Sequence, residues 1–286
     1  MTKIFTDTAA NLSAAVIKKY DIGIIPISYS VNGIEHEDLR TKEFNGKAFY
    51  NAMRRGSVIK TAATGLDNFL EPFRKVLCEG HDIIFIGLSG GISSTSHTAV
   101  IAANELRDEF PERKITAIDS LAASLGEGLQ VLSAASMNES GISYDDIVEC
   151  IESDKKTMAQ FFTVDDLKYL KKGGRISGAT ATLGTLLNVK PILRGDDEGH
   201  IVSCGKARGK KAALGVLAEK YSELCADKTG EIGIAHADAE DDARLLLTEL
   251  KKQGLKGRCI IECYEPVTGS HVGPGTVALF FRGIHK

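Results

Sequence analysis

The sequence predicts an α/β protein: an N-terminal, mostly parallel sheet with flanking helices, then a C-terminal α+β domain with a mainly antiparallel sheet. Three observations predict it. From residue 1 to about 155, short apolar runs alternate with amphipathic stretches of helical length, a pattern that calls for crossover connections and parallel strands. Beyond that point strand-like runs crowd together, and Asp196-Asp197-Glu198-Gly199 separates two of them as a hairpin turn would. Glycine is abundant, at 29 of 286 residues, while tryptophan is absent. That composition suits tight strand-to-helix turns.

Taken in order, Lys3–Phe5 and Ile22–Ile27 read as strands with a helix over 11–20 between them. A second helix covers 42–55, where Gly56 stands in the stop position. Next come a helix at 68–77, a strand at 82–86, a helix at 95–109, a strand at 115–118 and a long helix at 122–137. Ser143 caps a further helix to 153, with Asp145 and Asp146 favourably placed in its first turn. The second part offers strands near 161–164, 192–193, 200–203, 232–235, 259–262 and 277–281, with helices at 211–221 and 239–253. The texture changes near 155–160, so the expected domains are 1–158 and 159–286, with a site between them.

Composition narrows the function. Hydrophobic residues make up 43% and charged residues 26%, enough for a substantial core. The balance of 35 basic against 38 acidic residues gives a net charge of −3, so no global field favours nucleic acid. Residues 1–8 lack an apolar signal core and no run approaches the ~18 apolar residues of a membrane helix, which predicts a cytoplasmic protein. The six cysteines form no CxxC pair, arguing against a disulfide framework or a zinc site, and Cys259 and Cys263 read as core thiols.

The sharpest local feature runs from Ile86 to His97: a strand, a glycine-rich turn, then hydroxyls opening a helix. Open α/β sheets bind ligands at such carboxyl ends, and helix-start N–H groups with serine and threonine hydroxyls suit a carboxylate or phosphate. The glycine-lysine-hydroxyl end of a Walker loop is missing, and the spacing is not GxGxxG. Gly87-Leu88-Ser89-Gly90-Gly91 does satisfy GxSxG, which keeps a serine esterase using Ser89 and His271 as an alternative. Against it, Gly90-Gly91 are poor starters for an elbow helix. Val58–Thr64 reads as a loop of small and hydroxylated residues. His271 lies beside Gly273-Pro274-Gly275 in what reads as a turn between two strands. Lys171–Arg175 and Lys206–Lys211 are basic clusters in an otherwise balanced chain.

These landmarks together resemble the DegV family of bacterial fatty-acid-binding proteins, the lipid-presenting B subunits of the two-component fatty acid kinase. The matching residues are Asp7-Thr8, Thr61, the 88–99 serine loop, Asp119-Ser120 with Ser124 and Gly126, Leu167–Ser177 with its Lys-Gly-Gly-Arg-Ile-Ser run, Leu187–Leu193, Lys206–Lys211 and Gly269–Gly275. The resemblance implies one long-chain fatty acid held between the domains, its carboxylate bound by Thr61, Ser93 and His271, with Ser94 and Thr95 as further donors. It also implies no catalytic residue, metal or cofactor of its own: a separate kinase binds ATP and phosphorylates the carboxylate, and the acyl phosphate stays bound. Arg175 and Arg208 become the expected contacts for that kinase or its phosphates, and transient membrane contact would serve lipid exchange. A carrier or sensor without a kinase partner is the other alternative. The chain departs from the family's usual Ser-Gln-Pro after the threonine with Ala62-Ala63-Thr64, and from its Ser-Gly-Thr-Tyr-Gln with Ser93-Ser94-Thr95-Ser96-His97.

Overall fold

The computed structural model describes residues 1–37, 44–176 and 188–285. Four parallel strands make the first sheet, in the order β2 (Gly23–Ile25), β1 (Thr2–Asp7), β6 (Asp82–Gly87), β7 (Ile115–Asp119). The run Ile83-Ile84-Phe85-Ile86 is wholly buried because helices cover both faces of the sheet. Ile83 and Phe85 pack on Phe69, Phe73 and Leu77 of α3 (Asp67–Cys78) and on the alanines of α4 (Thr95–Glu109). Ile84 and Ile86 turn the other way, onto Val131 of α5 (Leu125–Glu139) and Ile147 of α6 (Tyr144–Asp154). The chain leaves β1 toward β2 on one side, while β6 and β7 extend the sheet on the other. The crevice at such a reversal, outside the carboxyl ends of β1 and β6, is where open α/β sheets hold ligands.

The second sheet has six strands, in the order β10 (Ile201–Arg208), β9 (Val189–Gly195), β8 (Met158–Thr163), β13 (Val277–Arg282), β11 (Ile232–His236), β12 (Cys259–Cys263). All neighbours pair antiparallel except β11 and β12. The hairpin expected at 196–199 joins β9 and β10. Alternation along β8 sorts its side chains: Ala159 and Phe161 pack under Leu214, Leu217 and Leu246 from α8 (Lys210–Leu224) and α9 (Glu240–Lys252). Met158 and Phe162 face inward, against Leu125 and Leu129 of α5. The fold class matches the expectation.

Several elements differ from the sequence reading. The helix expected over 11–20 is a 3-10 turn (Thr8–Ala10) and α1 (Ala14–Lys19), because Asn11 adopts a left-handed φ of 55° between them. The helix α2 is Gly46–Arg54, capped by Asn45, whose Oδ1 accepts the Ala48 N–H; positions 42 and 43, with Ser177 and Leu187, lie outside the described residues. Val58–Thr64 is not simply a loop: β5 (Ile59–Thr61) joins β3 (Tyr29–Val31) and β4 (Ile34–His36) in a small antiparallel sheet, with Tyr29 opposite Thr61. His271 sits on a helix, not in a turn between strands. Besides α7 (Lys168–Lys172), the helix α10 (Pro266–Val272) begins with proline in its first turn, and Glu265 caps it by accepting the Val267 and Thr268 N–H groups. Among the described residues no helix is long and apolar enough to cross a membrane.

Candidate functional site

Asp7 anchors the site from below. Its carboxylate ends β1 and accepts the Ala9 N–H at 2.8 Å and the Leu88 N–H at 2.9 Å, tying the turn after β1 to the loop after β6. Complete burial pushes its pKa up to about 6 against the lowering effect of those two bonds. The Leu88–Ser94 loop then crosses toward the six-stranded sheet. Gly90 N–H donates to Asp119 Oδ2, and Gly91 lies so close to the Glu198–His200 backbone that a Cβ there would meet the Glu198 carbonyl oxygen at 2.7 Å. Glycines at these positions let the loop and the hairpin tip interlock.

That packing settles the part played by Ser89. Its hydroxyl is buried, donates to the Gly199 carbonyl at 3.0 Å and accepts the Gly91 N–H at 3.2 Å. Among the described residues nothing links it to His271, whose Nε2 is engaged with Thr61 Oγ1. The Gly-x-Ser-x-Gly match is a product of loop-to-hairpin packing.

Above the loop a cavity of about 130 Å³, measured as space open to the centre of a water molecule, lies between the two sheets. Its walls are mainly apolar, with Ile27, Leu88, Ile92, Phe162, Ile201 and Phe280 among them, while Thr61, Ser93, Ser94, His271 and Arg175 line it with polar groups. Thr61 comes from the end of β5, the serines from the approach to α4, and His271 from α10. Thr61 Oγ1 and His271 Nε2 are 2.9 Å apart, donor and acceptor according to the imidazole tautomer. Ser93 Oγ lies 2.9 Å from Thr95 Oγ1 and accepts the Thr95 N–H at 3.3 Å. Thr95 is fully buried and does not line the cavity; it holds Ser93 in place. The amino end of the 15-residue helix α4 thus lies at the polar wall, where the positive end of its dipole favours an anion.

Electrostatics reinforce this polarity. Burial, with a smaller contribution from the Arg175 charge, depresses the His271 pKa to about 4, so the ring is neutral at physiological pH. Arg175 is half-buried, and its guanidinium donates to the carbonyls of Ile92 and Gly173 at the cavity wall. Gly173 explains part of the Lys-Gly-Gly-Arg run: a Cβ there would stand 2.2 Å from His271 Nδ1, so only glycine lets the imidazole pack against this turn. Arg208 is placed differently, exposed at the end of β10 and outside the cavity lining. In its basic cluster, Lys210 pairs with Asp165 at 2.8 Å, as does Lys190 at 2.7 Å; burial raises the Asp165 pKa, but the two lysines outweigh it and hold the carboxyl below the usual value.

Sequence reasoning missed three polar residues of the lining: Gln160, Tyr264 and Thr268. The Gln160 amide is engaged at both ends, accepting the Ala123 N–H and donating to the Leu121 carbonyl, and so links β8 to the turn after β7. Ala62 and Ala63, the departure noted in the sequence, line the cavity beside Thr61. Thr268 stands three residues before His271 and therefore on the same face of α10, a signal visible only once 266–272 is known to be helical.

Comparison with known proteins follows the same lines. A sequence model described as an uncharacterised protein family, the DegV family, matches residues 1–283. A DegV domain-containing protein of Clostridium perfringens is 35% identical over 284 residues, covering 99% of this chain and 98% of the relative. A DegV family protein from Thermus thermophilus, whose structure is described as showing fatty acid binding, is 29% identical with a TM-score of 0.87, covering 99% of each chain. A fatty acid binding DegV family protein from Streptococcus agalactiae is 30% identical with a TM-score of 0.86, covering 98% of each chain.

Proposed function

The chain belongs to the DegV family, and from that premise we propose that it binds one long-chain fatty acid in the cavity and presents the carboxylate to a separate ATP-dependent kinase, retaining the acyl phosphate. On this reading the ligand lies between domains 1–158 and 159–286. The observation that carries it is the meeting of Thr61, Ser93 and His271, from three distant segments, on the polar wall of an otherwise apolar cavity. Fatty acid binding by family members that resemble it over nearly the whole chain supports the same reading.

The energetics suit such a ligand. Burying a C16 chain gains roughly 12 kcal/mol at about 0.8 kcal/mol per methylene, before the costs of association and ordering. The tail supplies the affinity. The head group cannot enter an apolar cavity bare, so hydroxyl donors must replace its water. With the His271 proton on Nε2, the ring donates to Thr61 Oγ1 and leaves the Thr61 hydroxyl proton for a carboxylate oxygen. Ser93, steadied by Thr95, and Ser94 supply further hydroxyls, and the α4 amino end adds positive potential. Arg175 holds a fixed positive charge at the cavity wall, available to a carboxylate or to the greater charge of an acyl phosphate. Phosphoryl transfer draws chiefly on positioning and charge neutralisation, and this site offers both. Arg208, exposed beside Lys206 and Lys211, is the docking candidate for the kinase, with ATP bound on the partner.

Two measurements test the proposal. The protein purified from bacteria and denatured should release about one acyl chain per molecule by mass spectrometry; its absence would remove the reading. Incubating the loaded protein with a candidate kinase and ATP should yield bound acyl phosphate. A loaded protein that no fatty acid kinase accepts would leave a carrier or sensor.

A further inference from the structure

Thr268 has the one side-chain hydroxyl on the cavity wall that is buried and has no hydrogen-bond partner among the described residues. This is unusual for threonine in a helix, where the hydroxyl ordinarily returns to a carbonyl three or four residues back. Its neighbours behave in the ordinary way. Ser270 Oγ, on the same helix, donates to the Val267 carbonyl at 2.8 Å, and Thr276 Oγ1, in the turn that follows, donates to the Val272 carbonyl at 2.9 Å. The Tyr264 carbonyl accepts the Tyr50 hydroxyl at 2.8 Å and the Glu265 carbonyl accepts the Gly269 N–H at 2.9 Å, and neither receives the Thr268 hydroxyl. A buried hydroxyl left without a partner carries a desolvation cost, which a ligand oxygen would remove.

We propose that Thr268 selects for an acyl ligand bearing a hydroxyl close to its carboxylate, on the second or third carbon. This rests on the fatty acid reading and deepens it. His271 and Thr268 lie on one face of α10, three residues or ~4.5 Å apart along its axis. Thr61, Ser93, His271 and Thr268 line the same cavity, so a carboxylate held by the first three would bring the second and third carbons of its chain toward the Thr268 side of the wall. An unsubstituted chain leaves the Thr268 hydroxyl unpaired, whereas a 3-hydroxy acid pairs it.

The test titrates the delipidated full-length protein with hexadecanoic, 2-hydroxyhexadecanoic and 3-hydroxyhexadecanoic acids, for the natural protein, Thr268→Val and Thr268→Ser. The natural protein should bind one hydroxy acid roughly fivefold or more tightly than hexadecanoic acid, the worth of one net hydrogen bond. Thr268→Ser should keep the preference. Thr268→Val, equal in size but without the hydroxyl, should lose it while binding hexadecanoic acid at least as well. Equal affinities for all three acids in the natural protein would overturn the proposal even if the valine variant failed to fold, and would leave the fatty acid reading standing. Equal weakening of every acid by Thr268→Val would assign the hydroxyl to the carboxylate and overturn it too. Absence of binding to any of the acids would remove the fatty acid reading and this one with it.

Discussion

The Thr61 hydroxyl oxygen lies 2.9 Å from Nε2 of His271, a residue 210 positions away in the chain, and this contact ties the small β3–β5 sheet to α10 across the cavity. If the hydroxyl also serves a ligand carboxylate, Thr61→Val should weaken fatty acid binding by roughly ten- to a hundredfold, the worth of one hydrogen bond to a charged group. Calorimetric titration of delipidated protein measures it. Unchanged affinity would place the head group elsewhere.

His271 offers a titration. Its pKa is held near 4 by burial and by Arg175, below its value of about 6.5 in the unfolded chain. Folded, ligand-free His271 therefore binds fewer protons in that window than it does unfolded, and its contribution to stability should fall as pH drops from about 6.5 toward 4. An anionic head group beside the ring favours imidazolium, so loading should move the midpoint upward. NMR of the His271 ring in empty and loaded protein reads both values. A midpoint near 6.5 in the empty protein, unmoved by ligand, would count against this site.

Ser89 and Ser93 should separate cleanly. Ser89→Ala removes a buried donor from the Gly199 carbonyl and an acceptor from the Gly91 N–H, so it should cost about 1–2 kcal/mol of stability. It should leave acyl content intact. Ser93→Ala removes the acceptor of the Thr95 N–H and the partner of the buried Thr95 hydroxyl, so it should cost a comparable amount of stability, and unlike Ser89→Ala it should also reduce acyl content. Mass spectrometry beside parallel melting curves distinguishes the two, and loss of lipid from Ser89→Ala alone would reverse the assignment.

Gly173→Ala tests the backing of the histidine. The added methyl would lie 2.2 Å from Nδ1 and 3.0 Å from Cε1 of His271, forcing the ring away from Thr61. Overpacking of this kind costs about 1–3 kcal/mol. The variant should bind fatty acid at least tenfold more weakly, and a second glycine substitution at exposed Gly141, where nothing stands within 4 Å, should not.

How much of this was legible beforehand depends on the kind of signal. Ile83–Ile86 reads as a buried parallel strand because its apolar run is unbroken, and the 196–199 turn declares its hairpin by composition. The three-residue strands β3, β4 and β5 carry too few residues for a period. The helix α10 hides behind Gly269 and an opening proline, so the shared face of Thr268 and His271 was invisible. Thr61, Ser93 and His271 were singled out by resemblance to a family and not by any local pattern, since their meeting is wholly tertiary. Buried acids were missed for a related reason: Glu127 lies on a helix where charge ordinarily marks the solvent face, and only tertiary packing buries it.

That residue gives a last prediction. Glu127 and Thr6 are both fully buried, and the Thr6 hydroxyl donates to Glu127 Oε1 at 2.9 Å while Oε2 has no partner among the described residues. Burial, and then the nearby Asp7 charge, holds the Glu127 pKa well above the usual value of 4.5. A carboxyl whose folded pKa exceeds its unfolded one contributes its full stability below the unfolded pKa and loses it as pH rises toward the folded pKa. The Glu127 contribution to urea resistance should therefore fall between pH 5 and pH 8, with Asp7, at about 6, contributing in the same direction and His271 in the opposite one below about pH 6.5. Glu127→Gln keeps an acceptor for Thr6 and cannot ionise. It should be at least as stable as the natural protein at pH 8 and show a shallower pH dependence, the remainder belonging to Asp7. Equal loss of stability at both pH values would mean that the carboxyl is held charged by a partner and that its neutral form plays no part in the fold.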